Sequence, residues 1–352
     1  MTSIAAAPRL LSLATAVPPH VLDQPAVMQR ARALFARHGL NIDSLLPVFA
    51  NVGIERRFSC VPLDWYEQDH GWADRNGVYL TNAVDLLERV ARQAVHDADL
   101  SFDAIDQFVT VSSTGIATPS LDALLMERLP FREDCRRLPV FGLGCAGGVL
   151  GLNRGAQLAS AEPGSTVLVL VVELCALTFR KEDRRAANVV ATALFGDGAA
   201  AAIMRHDSQP GPRLIAQGER RWPGTLDVMG WNTSDSGLAV QFSRDIPALV
   251  RERFFAATQA FLAKAGIPLA DIAGFVCHPG GPKVIEALEE VFALQRGTMV
   301  DAREVLRQFG NMSAATVMFV LDRVLERGMR GRQLVSALGP GFTAAFAVLE
   351  AA

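Results

Sequence analysis

The chain has 352 residues, half of them hydrophobic, with 34 Lys and Arg against 37 Asp and Glu for a net charge of −3. That balance excludes the basic footprint of a nucleic-acid or membrane-surface binder, and the length is enough to bury one large core or two fused ones. Five cysteines (Cys60, Cys135, Cys145, Cys175, Cys277) show neither a CxxC pair nor other zinc spacing, which points to a reducing, cytoplasmic setting, no metal, and at least one working thiol.

The first element is a strand over Leu10–Val17; the stretch before it has no basic leader region and does not read as a signal peptide. Ala83–Ala98 carries Ala83, Leu86, Leu87, Val90 and Ala94 on one helical face. A strand at Phe108–Ser112 and a helix at Ser120–Leu129 follow. The next strand is expected to end at Cys145, with Val149–Ala159 as the buried helix behind it. Strands at Val167–Val172 and Gly198–Met204 come next; the apolar run from Thr166 to Val172 is too short to cross a bilayer. The polar, Pro- and Gly-rich run DSQPGPR at 207–213 reads as a linker. Beyond it come a helix over Ile246–Ala265, a strand from Ile272 to His278, helices from Val284 and Met312, and strands at Gln333–Leu338 and Thr343–Leu349. This alternation is α/β, and FGDGAAAAIM and GPGFTAAFAVL close its two parts alike, each a glycine turn feeding an apolar strand. The parts are 1–207 and 208–352.

Three segments carry chemistry. In FGLGCAGGVLGL, Cys145 sits on a tight turn before a helix, where exposure and the helix N-terminus favour a thiolate. In GFVCHPGGPKV, His278 is delivered at a strand end before a Pro-Gly-Gly-Pro turn. In QFGNMSAATV, Asn311 follows Gly310 at a helix start. Taken singly, Cys145 reads as a small core residue, His278 as a hydrogen-bonded loop residue and Asn311 as a helix cap. Together, each at a strand-to-helix junction, they read as one Cys-His-Asn site built around a nucleophilic thiol.

These segments, with ELCALTFR at 173–180, ALFGDGAAAAI at 193–203, GNMSAA at 310–315 and ALGPGF at 337–342, resemble the type III polyketide synthases, the chalcone-synthase-like branch of the thiolase-fold condensing enzymes. The resemblance runs from about residue 8 to residue 349. It implies a thiolase-like five-layered αβαβα fold of two duplicated halves, the N-terminal one carrying the nucleophile and the C-terminal one the His and Asn. It also implies a homodimer, acyl-CoA and malonyl-CoA as substrates, and no bound cofactor. By the same resemblance Phe195 lies near the malonyl carboxylate. Substrate-binding positions fall on Ser113, Thr118, Cys175, Thr178, Ser313, Leu338 and Gly339, and Arg56 with its neighbour Arg57 faces the CoA phosphates, although adjacent arginines also suit a solvated face.

Plant members carry threonine where this chain has Cys175, methionine at Thr118, and GFGPG where it has ALGPG, so their product scaffold does not transfer. The small pocket residues lead to the expectation of a long-chain fatty acyl starter and an alkylpyrone or alkylresorcinol product. The alternative is a single-round 3-ketoacyl-ACP synthase III, which follows its His with Gln-Ala-Asn, unlike the Pro-Gly-Gly after His278. A non-catalytic acyl-binding subunit needs a broken triad, and this one is intact. Trp222 and Trp231, in loop-rich stretches, read as packing residues, with a place at the cavity entrance as the alternative.

Overall fold

Two sheets of the same plan share one pair of central helices. The computed structural model describes residues 7–37, 39–235 and 237–351. In chain order the strands are β1 (Arg9–Ala16), β2 (His20–Asp23), β3 (Arg56–Ser59), β4 (Gln107–Val111), β5 (Arg136–Val140), β6 (Thr166–Leu174), β7 (Asp197–Arg205), β8 (Arg213–Arg221), β9 (Met229–Ser234), β10 (Gly237–Phe242), β11 (Ile272–Cys277), β12 (Arg332–Gly339) and β13 (Thr343–Glu350). The helices are α1 (Gln24–Arg37), α2 (Pro47–Asn51), α3 (Trp72–Asp97), α4 (Leu121–Met126), α5 (Gly147–Ala161), α6 (Ala186–Leu194), α7 (Ile246–Leu249), α8 (Phe255–Ala265), α9 (Pro282–Val291), α10 (Val300–Phe309) and α11 (Thr316–Glu326).

The first sheet runs β1-β7-β6-β4-β5 and the second β8-β13-β12-β11. In the first, β4 and β6 are parallel while β6–β7 and β7–β1 are antiparallel. The second repeats this with β11–β12 parallel and β12–β13 and β13–β8 antiparallel. The repeated order of pairings is the duplication expected from the sequence. The sheets join where Arg9 pairs with Arg213, so the nine strands form one continuous surface.

Five layers follow from what each helix covers. The 26-residue helix α3 lies on β1, β6 and β7 from outside, burying Ala83, Leu86, Leu87, Val90 and Ala94 at helical spacing. Helices α5 and α11 lie between the sheets and touch strands of both, and α8 covers β8 and β13 on the far side. All nine residues of β6 are buried, which is why TVLVLVVEL shows no alternation: both of its faces meet helices. Within the central layer, a Cβ at Gly148 would stand 2.3 Å from the Ala314 carbonyl oxygen, so the start of α5 can meet the segment leading into α11 only through glycine. Among the described residues, no helix is long and apolar enough to cross a membrane.

Several boundaries differ from expectation for local reasons. The strand before Cys145 stops at Val140, and Cys145 lies in a separate 3-10 turn, Gly144–Ala146. The helix expected from Met312 begins at Thr316 after a 3-10 turn, Ser313–Ala315. Ser120–Leu129 is helical only over Leu121–Met126, and the helix expected over Ile246–Ala265 includes a π-helical stretch, Val250–Phe254. The 207–213 run is no loose linker: Arg9 Nη1 donates to the Gly211 carbonyl at 3.0 Å and Leu10 N to that of Pro212 at 2.9 Å.

Candidate active site

The turn carrying Cys145 is clamped from both halves. From the first, the Ser113 hydroxyl oxygen accepts the N–H groups of Gly142 and Gly144, at 3.2 Å each. From the second, β12 ends against the turn at Gly339. A Cβ there would lie 2.5 Å from the Leu143 carbonyl oxygen and 2.8 Å from the Ala146 nitrogen. Cys145 is left half-buried at the head of α5, facing a cavity.

His278 follows the last residue of β11. Its N–H donates to the Ser336 carbonyl of β12 at 2.8 Å, and its own carbonyl accepts from Gly280 N at 3.1 Å, which fixes the backbone at the cavity wall. His278 is 5% exposed, and neither ring nitrogen has a hydrogen-bond partner among the described residues. Leaving a buried polar group unpaired costs about 1–3 kcal/mol, so this ring is built to meet something that enters the cavity.

Asn311 is held from four directions. Its N–H donates to the Leu194 carbonyl at 2.8 Å, and its carbonyl accepts from Gly196 N at 3.0 Å, beside Phe195. Its Oδ1 accepts from Ser313 N at 2.8 Å, and Nδ2 donates to the Gly280 carbonyl at 3.3 Å. With Oδ1 occupied, the amide presents its NH₂ as the free pole, one hydrogen of which is unspent. Phe195 is fixed by Arg57, whose Nη1 donates to the Thr192 and Phe195 carbonyls at 2.6 and 3.2 Å. The Phe195 ring meets Trp231 and Phe242 edge-on, with centroids 5.9 and 6.1 Å away.

Cys145, His278, Asn311, Phe195, Ser313 and Leu338 line one cavity of about 630 Å³. The other sequence-derived positions lie elsewhere. Cys175 and Thr178 line a smaller pocket of about 50 Å³ that shares only Phe195 with the first. Ser113 and Gly339 stand behind the Cys145 turn. Thr118 is exposed on a surface loop beside Pro119 and does not line its own chain's cavity. Neither arginine of the RR pair faces the cavity: Arg56 is exposed on the separate two-stranded sheet of β2 and β3, and Arg57 is only 1% exposed, spent on the end of α6. Trp231 belongs to the cavity wall, contrary to the packing role expected of it, whereas Trp222 packs on Phe342 at 5.3 Å.

Sequence reasoning also passed over Glu173, although its motif was in view. Its buried carboxylate accepts from Ser113 N at 3.0 Å and Thr114 Oγ1 at 2.9 Å, and burial pushes its pKa up to about 7 against those bonds. The only signal was a lone acid in the apolar run LVLVVELCAL.

Burial works against the thiolate expected at Cys145. Burial pushes the Cys145 thiol up to about 12, opposed by a hydrogen bond with Ser313 and reinforced by the nearby Glu173 carboxylate. Burial likewise pushes His278 down to about 3. An apolar cavity works against each ion taken by itself. A neutral imidazole still serves as a base that takes the thiol proton as the sulfur attacks.

Comparison with known proteins agrees with this arrangement. The N-terminal domain of chalcone and stilbene synthases matches residues 67–208 and their C-terminal domain residues 214–351. The 1,3,6,8-tetrahydroxynaphthalene synthase of Streptomyces peucetius subsp. caesius is 36% identical over 346 residues, covering 96% of this chain and 91% of that protein. The phloroglucinol synthase of Pseudomonas fluorescens is 27% identical over 338 residues, covering 95% and 96%. Among solved structures, the 1,3,6,8-tetrahydroxynaphthalene synthase of Streptomyces coelicolor A3(2), a bacterial type III polyketide synthase, superposes with a TM-score of 0.92 at 28% identity, over 97% of this chain and 99% of that one. A condensing cavity assembled from two duplicated halves and a match along nearly the whole chain lead to one conclusion: the protein belongs to the chalcone and stilbene synthase family and is a type III polyketide synthase, an acyltransferase that works by decarboxylative condensation.

Proposed function

We propose that the enzyme loads a long-chain fatty acyl group from its CoA thioester onto Cys145 and extends it repeatedly with malonyl-CoA. The extended chain then closes to an alkylpyrone or alkylresorcinol. In this reading His278 takes the Cys145 proton as sulfur attacks the acyl carbonyl, and returns it to the departing CoA sulfur. Loss of CO₂ from malonyl-CoA then leaves an enolate, whose oxygen receives hydrogen bonds from the His278 ring N–H and Asn311 Nδ2. Such preorganised donors are each worth about 3–4 kcal/mol of barrier. The enolate carbon attacks the carbonyl of the Cys145 thioester and breaks its C–S bond. The Cys145 sulfur is freed and the lengthened chain remains on coenzyme A, from which it is loaded back onto Cys145 for the next round. Phe195 presents an apolar edge where the malonyl carboxylate is lost.

The observation that carries the long-chain reading is the largely apolar lining of the cavity, to which Val48, Val190, Leu194, Phe254 and Leu288 contribute. A volume of about 630 Å³ lies mid-range for sites that enclose a ligand of several hundred daltons. Incubation with malonyl-CoA and a series of acyl-CoAs from acetyl to stearoyl, read by mass spectrometry, tests it. Pyrones or resorcinols with long alkyl chains support the reading, and acceptance of short starters alone overturns it. A second reading, synthesis of 1,3,6,8-tetrahydroxynaphthalene, is favoured by the 36% identity to a synthase of that name. Malonyl-CoA as sole substrate, in the same assay, separates the two. A single 3-ketoacyl product would instead point to one-round condensation.

The working unit in this proposal is a homodimer. Leu138, on the edge strand β5, is 39% exposed, Phe141 just after that strand is 59% exposed, and Ile116, on the loop after the neighbouring strand β4, is 52% exposed, an apolar set suited to a second copy. Light scattering at micromolar concentration reads the mass directly.

A further inference from the structure

Away from the catalytic cavity, two arginines are buried without an acid to answer them. Arg75, on α3, is 8% exposed, and Arg180, just past the 3-10 turn Cys175–Thr178, is 4% exposed. Neither forms an ion pair with any described residue. The acids whose fields reach them are engaged or outside: Asp74 pairs with His70, Asp183 pairs with Arg185, and Glu182 is exposed. Arg75 spends Nε on the His70 carbonyl at 3.0 Å and Nη1 on that of Leu177 at 2.7 Å. Arg180 spends only Nη2, on the Leu238 carbonyl of β10 at 3.2 Å; its buried Nε and Nη1 have no partner among the described residues. Burial, and then the charge of Arg75, pull Arg180 down to about 10, so it remains a cation at neutral pH. A buried charge without a counter-charge is strongly destabilising.

Both arginines line a small cavity of about 10 Å³ together with Trp72, Asn76, Thr114 and Thr178, and no Asp or Glu lines it. The other polar side chains there are already used. Asn76 exchanges both ends of its amide with the Ile116 backbone, at 2.9 and 2.8 Å. The Thr114 hydroxyl donates to Glu173 and accepts from Leu174 N, both at 2.9 Å, and that of Thr178 donates to the Cys175 carbonyl at 2.7 Å. The unspent donors are guanidinium N–H groups. Such a volume admits one water-sized body. A water would answer the N–H groups but not the charge, and a carboxylate, nitrate or phosphate brings at least three heavy atoms.

We propose that Arg180, backed by Arg75, holds one chloride ion in this cavity, and that the ion pins the β9–β10 hairpin to the N-terminal half. Arg180 is the link, since its guanidinium also holds the Leu238 carbonyl. Gly237, the first residue of β10, makes room for it: a Cβ there would stand 2.4 Å from both Arg180 Nη2 and Trp72 Cε3. The site shares no residue with the catalytic cavity, so it stands apart from the polyketide reading and its test needs no turnover.

The full-length protein is unfolded in urea at constant ionic strength while chloride replaces gluconate, with Arg180→Met run alongside. A ligand bound only by the folded state multiplies the folding constant by about ten for each tenfold rise in its concentration above the dissociation constant. Wild type should show this rise, and amide exchange across β9 and β10 should slow by the same factor. R180M should lose the dependence. In gluconate it should be at least as stable as wild type, because an apolar chain of similar volume removes the unanswered charge. Crystals of the wild type grown in bromide should show an anomalous-scattering peak within hydrogen-bond reach of Arg180 Nε or Nη1. A wild-type folding constant indifferent to chloride overturns the proposal, as does a chloride effect of full size in R180M. Bromide found only on the surface overturns it too, and this arm stands even where R180M does not fold. Stabilisation by chloride with unchanged β9–β10 exchange overturns the pinning of the hairpin.

Discussion

Replacing Asn311 with alanine separates catalysis from stability. The side chain does two jobs through different atoms: Oδ1 accepts from Ser313 N at 2.8 Å, and Nδ2 faces the cavity with one hydrogen on the Gly280 carbonyl at 3.3 Å. Losing Nδ2 removes one of two donors for the enolate oxygen, a loss of about 10²–10³ in the rate of malonyl-CoA decarboxylation. Losing Oδ1 strands a buried N–H at Ser313 and costs about 1–3 kcal/mol of folding free energy. Acyl transfer onto Cys145 draws on neither. Three readouts therefore apply to one variant: CO₂ release from malonyl-CoA, covalent acylation by intact-protein mass, and denaturant midpoint. The expected pattern is decarboxylation reduced at least a hundredfold, acylation retained, and a modestly lowered midpoint. Decarboxylation at the wild-type rate would refute Asn311 as an oxyanion donor, and parallel loss of acylation would show instead that the cavity had collapsed.

Alkylation of Cys145 by iodoacetamide should rise about tenfold per pH unit between pH 7 and 9 without reaching a plateau, since burial pushes the thiol up to about 12; a plateau below pH 7 would establish a resting thiolate–imidazolium pair. Gly339→Ala forces a methyl to within 2.5 Å of the Leu143 carbonyl oxygen. It should lower kcat by about a hundredfold through displacement of the Cys145 turn, whereas wild-type kcat would show that the turn yields freely. Glu173 has a folded-state pKa raised from 4.5 to about 7 by burial. The native state therefore binds its proton more tightly than the unfolded chain does, and stability is lost as pH climbs between those values. Glu173→Gln removes this dependence, so its stability relative to wild type should improve by up to about 3 kcal/mol from pH 4 to pH 8, read from urea midpoints; parallel pH curves would count against a neutral-leaning Glu173.

Cys145, His278 and Asn311 line one cavity, and they stood out in the sequence because each occupies a junction where composition changes abruptly: Cys145 before a glycine pair, His278 at the end of an apolar strand, Asn311 after a glycine. The plan of the fold was equally legible, since β6, β7, β12 and β13 are buried on both faces and show as apolar runs. Less could be seen where a residue's role depends on distant chain. Arg57 looks like half of a surface pair, yet its guanidinium reaches Thr192 and Phe195, more than 130 positions away. Gly339 stops β12 against a turn of the other half, a contact no local pattern encodes. Thr118 and Cys175 shared a segment-level argument with true wall residues but belong to a surface loop and a second pocket. Trp231 was misjudged because β9 and β10 are irregular in sequence: β9 has no buried residue and shows no alternation that would mark a strand.

That hairpin has one further consequence. β9 and β10 pair only with each other and with neither large sheet, yet they bring Trp231, Val240 and Phe242 to the cavity wall. The reacting end of the chamber is bolted to the shared central layer, while this wall hangs as a detachable panel. Exchanging residues on it resizes the chamber without disturbing a strand register on which the halves depend. Because Trp231 and Phe242 also meet the Phe195 ring, a change on the panel is felt at the reacting end as well as in the size of the chamber.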